Sequence, residues 1–168
     1  MESFINEKIL SSTINIPILK LTKTKNIDGL VKQEFKNNNE KICNSEGYIL
    51  KNSIQIIQRS VGKVLNINSE SFIQYKINYK FKYIYPSKDD ILECVVDSIS
   101  KMGIIGYLNF TDSEEDNITI KNSPILIIIP NEFLSDKDIK INDKINISVL
   151  DSRIKYRAIQ MQIVGKIV

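Results

Sequence analysis

Residue types that carry covalent chemistry are scarce in this sequence. There is no histidine, which removes the usual general base near neutral pH, the Ser-His and Cys-His dyads and the commonest transition-metal ligand. No CxxC pair, GxGxxG turn or P-loop glycine pattern occurs. The densest acidic run, Asp112, Glu114, Glu115 and Asp116, lacks the spaced oxygen ligands and the glycine of a calcium loop, and reads as a solvated connection. Cys43 and Cys94 lie far apart. With no secretory leader ahead of them they read as interior free thiols in a reducing compartment. These features imply no catalytic residue, no metal and no cofactor. What remains is non-covalent chemistry. Lys101, Tyr107 and Phe110 follow one another around a glycine step, and Arg153, Lys155, Tyr156 and Arg157 fall within five positions. Rings stack on bases and cations neutralise phosphates.

The surrounding elements are mostly strands. Ile14–Leu21 reads as an edge strand because Pro17 removes a ladder donor. Ile27, Leu30, Val31 and Phe35 recur at helical spacing, with Asn26 as N-cap and Asn37-Asn38-Asn39 ending the helix. The segments 47–58, 60–67 and 71–85 are rich in β-branched and aromatic residues, and Tyr75, Ile77, Tyr79, Phe81, Tyr83 and Tyr85 alternate onto one face. Pro86-Ser87-Lys88-Asp89-Asp90 is a turn, and a domain boundary is expected there, giving units 1–85 and 86–168. Six further strands are expected near 91–100, 103–110, 118–121, 124–130, 144–150 and 158–168, with one helical turn within 131–138. The fold class is therefore mainly β with a short helix (α+β), the second half forming a five-stranded OB-type barrel. In such a barrel the first strand must bend. Gly103 suits a bulge or a turn there, or else Lys101-Met102-Gly103 is an ordinary hairpin.

Composition and charge add two bounds. The 168 residues contain 42% apolar and 26% charged residues, as in ordinary globular proteins, and no apolar run is long enough to span a bilayer. Abundant Ile, Asn and Lys suggest an AT-rich genome. Residues 1–85 hold 13 Lys+Arg against 7 Asp+Glu, and residues 86–168 hold 10 against 13. Halves of opposite sign suggest different partners.

The stretch DDILECVVDSISKMGIIGYL resembles the start of the OB domain named after ribosomal protein S-one, and INDKINISVLDSRIKYRAIQMQI resembles its final hairpin. Asp89 and Asn142 stand where that family has turn glycines, and both types tolerate turns. Upstream, Val31-Lys32-Gln33, Cys43…Gly47-Tyr48-Ile49, Ser60–Val64 and Tyr79–Val96 follow in order. Together they make nearly the whole chain similar to the larger stalk subunit of archaeal and eukaryotic DNA-directed RNA polymerases, a tip domain followed by an OB domain. The composition and the divergence point to a large DNA virus of eukaryotes as source.

The resemblance implies a non-catalytic subunit, paired with a smaller stalk subunit, docked on the polymerase core near the RNA exit channel and without a membrane role. It implies work in initiation, clamp restraint and nascent-RNA guidance. It places the chain inside the cell, in host cytoplasm and virion if viral and in the nucleus if cellular. Val61, Gly62 and Lys63 map to the core-docking loop, where glycine would permit close backbone approach; a plain hairpin turn is the alternative. Lys101, Tyr107, Phe110, Arg153, Lys155, Tyr156 and Arg157 are the RNA-binding candidates, with Tyr107 and Phe110 equally suited to the barrel core. The aromatic that follows the glycine step in the family is replaced by Ile104-Ile105, and the OB half is acidic, so RNA contact is expected to be weak and salt-sensitive. The competing classes are a free-standing single-stranded RNA-binding OB protein of translation or decay, a carboxylate nuclease, and an interaction module that never touches RNA.

Overall fold

The computed structural model describes residues 4–111, 117–134 and 138–168. The acidic run at 112–116 lies outside them. Contacts divide the chain into two compact units that do not part at a single point. One unit comprises residues 7–40 and 50–82, the other Met1–Asn6, Lys41–Ile49 and Tyr83–Val168. Three short stretches of the first half therefore belong with the barrel. Redrawn along these units, the charge partition sharpens. The 7–40/50–82 unit holds 12 basic and 5 acidic residues, a net +7, and the barrel unit holds 11 and 15, a net −4.

The basic unit is built on one long strand. Strand β1 (Ile5–Pro17) leads into a short helix α1 (Ile18–Thr22), and α2 spans Ile27–Asn39. Strand β2 (Tyr48–Ile49) lies in the stretch that groups with the barrel; β3 (Gln55–Arg59), β4 (Lys63–Ile67) and β5 (Glu70–Ile84) follow, and β5 pairs with all the others, meeting β2 only at Tyr83 and Ile84. Asn26 caps α2 as expected, its side chain accepting from the Gly29 N–H at 3.0 Å. The buried face of α2 carries Val31 and Phe35, and the Phe35 ring meets Tyr79 edge-on at 4.7 Å between centroids. Tyr75, Ile77, Tyr79 and Phe81 of β5 are buried with them. The alternation shifts at the strand end, where Ile84 is buried and Tyr85 exposed. β4 and β5 join through Asn68-Ser69, both at positive φ (+49° and +66°) with Ile67 opposite Glu70, the geometry of a two-residue primed turn.

One element of this half differs from the periodicity reading. β1 begins earlier and ends at Pro17, so residues 18–22 are helical rather than extended; five apolar-rich residues carry too little period to separate the two states. Asn37-Asn38-Asn39 end α2 as expected, forming its last three residues ahead of Glu40.

The second unit contains a closed five-stranded barrel. Strands β6 (Ile91–Ser100), β7 (Gly103–Leu108), β8 (Ile125–Pro130), β9 (Lys144–Arg153) and β10 (Met161–Ile167) close in the order β10-β8-β7-β6-β9. β8 and β10 are parallel and every other pair is antiparallel. This is an OB-type barrel. Its interior is aliphatic: Leu92, Val96, Ile104, Leu108, Ile125, Ile127, Ile129, Ile147, Val149, Met161 and Ile163 are buried. The bend of β6 falls at a bulge between Val96 and Ser98. Gly103 instead closes a two-residue hairpin at Lys101-Met102, with φ +136°, and a Cβ there would run into the Ile129 carbonyl. Asp89 (φ +72°) and Asn142 (φ +71°) take the left-handed conformation that glycine favours, which short polar side chains adopt at modest cost. The expected strand at 118–121 is a turn.

Candidate nucleic-acid interface

Register places the outward residues of the barrel in rows. Tyr107 faces Leu126 across β7–β8, Leu126 faces Gln162 across β8–β10, and Gln162 faces Arg153 across β9–β10. Directly paired residues share a face, so the four form one row about 14 Å long at a strand spacing of about 4.8 Å. The Tyr107 ring is half-buried, and its hydroxyl reaches the Ile118 carbonyl at 3.5 Å. Arg153 and Gln162 are exposed.

The row ends beside the 154–160 loop. Tyr156 is 70% exposed there, a ring open to stacking. Lys155 and Arg157 are exposed beside it. Arg153, Lys155, Gln160 and Gln162 line a groove of ≈ 280 Å³. Gln160 fixes the base of the loop, its Nε2 amide donating to the Ser123 carbonyl at 2.9 Å and also to the Ile120 carbonyl. Three cations and the Tyr156 ring thus converge where an OB barrel presents its loop between the fourth and fifth strands, a place where such barrels bind oligonucleotides.

The sequence candidates do not form one cluster. Gly103 lies opposite Pro130 at the end of β8, and Met161 lies opposite Ile125 at its start. Lys101 therefore sits at the far end of β8 from the 154–160 loop, about 17 Å away along the strand. Phe110 is half-buried and meets the buried ring of Phe4 edge-on at 6.3 Å. Gln162 carries no periodicity or charge signal, and only register brings it to the row.

In the basic unit, Val61-Gly62 is not a hairpin turn. β3 and β4 both run antiparallel to β5 along the same edge, Arg59 opposite Ile77 and Lys63 opposite Gln74. The chain keeps its direction through Ser60–Gly62. Ser60 substitutes for the broken ladder, its N–H donating to the Lys76 carbonyl and its Oγ accepting from the Lys76 N–H, both at 2.9 Å. Gly62 lies so close over Ile73 and Tyr75 that a Cβ would clash. Val61 is 87% and Val64 61% exposed, an apolar edge without a covering element among the described residues.

Cys43 and Cys94 are buried free thiols. Burial pushes Cys43 up to about 11 and Cys94 up to about 12, so neither is a nucleophile near neutral pH. Among the described residues no three His, Cys, Asp or Glu side chains converge as metal ligands would, and no helix is long and apolar enough to cross a membrane.

The fold defines the class: a mainly-β protein bearing a closed OB-type barrel. Compared with known proteins, the chain matches no family model and no curated sequence.

Proposed function

We propose that this chain is a non-catalytic stalk subunit of a multisubunit DNA-directed RNA polymerase, acting in initiation, clamp restraint and guidance of nascent RNA. The observation that carries this is the pairing, in one chain, of an OB-type barrel with a separate net +7 unit whose edge exposes Val61 and Val64. An apolar edge on a basic unit suits a protein surface with acidic surroundings, as docking on a polymerase core would require. Val61, Gly62 and Lys63 are the docking segment, and a smaller stalk subunit is the second partner. Tyr156, Arg153 and Lys155 contact RNA weakly, helped by high local concentration at the exit channel. A large eukaryotic DNA virus is the source favoured by composition, with host cytoplasm and virion as the location.

Affinity purification of the tagged chain from its native source tests this. Near-stoichiometric recovery of the large polymerase subunits and one small partner supports the assignment. Recovery of ribosomes, decay factors or the chain alone defeats it. The exposed ring of Tyr156 beside Arg153 and Lys155 favours the second reading in that event, a free-standing single-stranded RNA-binding protein.

A further inference from the structure

We infer that the basic unit carries its own polynucleotide-backbone site, in the groove between α2 and the Lys51-Asn52 turn. The groove has a volume of ≈ 360 Å³ and is lined by Lys32, Gln33, Lys36, Asn37, Lys51 and Asn52, with Glu40 at one end. The α2 positions recur at three- and four-residue spacing, so they form one stripe of the helix, distinct from the buried Val31 and Phe35. Asn52 holds φ +57°, which turns the chain back beside that stripe.

Its chemistry selects the ligand. Three ammonium groups and three side-chain amides supply donors, and the one carboxylate, Glu40, accepts from the Ile54 N–H at 3.2 Å. Among the described residues no aromatic or aliphatic side chain lines the groove. A protein interface needs apolar anchors at its centre. Phosphate and sugar contacts need lysines and amides such as these. The net charges agree, because non-specific polynucleotide affinity follows phosphate neutralisation, and this unit is +7 against −4 for the barrel unit. The site does not depend on the polymerase assignment and adds a contact separate from the 154–160 loop.

The test is fluorescence anisotropy of a labelled single-stranded oligouridylate with the full chain, between 50 and 200 mM salt. Lys32→Gln/Lys36→Gln is compared with Arg153→Gln/Lys155→Gln, with circular dichroism to verify folding. Glutamine keeps helix propensity close to that of lysine. Loss of two phosphate contacts should lower the salt slope by about 1.4, so that the loss of affinity across this salt range shrinks about sevenfold. An unchanged slope in Lys32→Gln/Lys36→Gln, with the effect confined to the loop variant, overturns the inference. So does wild-type protein that binds polyglutamate and not the oligouridylate, since the groove would then be a site for an acidic polypeptide.

Discussion

The Arg157 N–H donates to the Cys43 carbonyl at 2.8 Å, and the Cys43 N–H donates to the Ala158 carbonyl at 2.7 Å. A segment from the first half of the chain thereby braces the basic loop from the last strand pair. Arg157 holds φ +63°, a conformation that costs a non-glycine residue about 1–3 kcal/mol, and the two bonds help offset it. Because both bonds belong to one contact, the Cys43 and Arg157 amides should exchange with deuterium in a single opening event. Hydrogen exchange followed by NMR checks this; widely different protection would mean that the segment and the loop open separately.

Gly103 should tolerate no side chain. Its φ of +136° and the Ile129 carbonyl beside it predict that Gly103→Val destabilises the barrel by about 2 kcal/mol or more. Urea denaturation measures the loss, and an unchanged midpoint contradicts the hairpin geometry.

The centre of the basic unit predicts a contrast between two positions. Phe35 is fully buried against Tyr79, so Phe35→Ala should cost about 3–5 kcal/mol. Val61 is 87% exposed, and Val61→Ser should stay within about 0.5 kcal/mol. In purification from the native source, the Val61 variant should nevertheless recover fewer core subunits.

The thiols predict an alkaline limit. Both folded values, about 11 and about 12, lie above the ordinary 9.0. Below pH 9 the thiols are protonated whether folded or unfolded and leave stability unchanged. Above it the unfolded chain loses protons first, so stability falls as pH rises from about 9 through 11–12. Replacing both cysteines with alanine should flatten that part of the profile. At pH 8 a thiol reagent should react with the native chain far more slowly than with the unfolded one.

Tyr156 gives the sharpest test of the loop. Stacking contributes about 1–3 kcal/mol per base, so Tyr156→Ala should weaken oligouridylate binding at least about fivefold. The ring is 70% exposed, and the melting temperature should barely move. Equal affinity would remove the ring from the interface.

Local pattern carried much of this fold. β-branched runs between turn residues mark the barrel strands, and the spacing of Val31 and Phe35 with Asn26 ahead of them marks α2. Asp89 and Asn142 were legible as turn positions because short polar side chains tolerate positive φ. The pattern misled where competing local bonds decide. The apolar residues near 118–121 suggested a strand, but Asn122 Oδ1 accepts from the Thr119 N–H at 2.6 Å and Asn122 Nδ2 donates to the Asn117 carbonyl at 2.8 Å, holding the segment as a turn.

By itself the sequence determined which residues are apolar, cationic or aromatic, and so which faces bury. Only the tertiary structure decided who stands beside whom. Barrel closure brings Tyr107, Leu126, Gln162 and Arg153 into one row and sends Lys101 to the other end of β8, because register arises from pairing between strands distant in the chain. Likewise, Val61-Gly62 continues along β5 rather than turning back, since a glycine permits either path and the partner strand selects one.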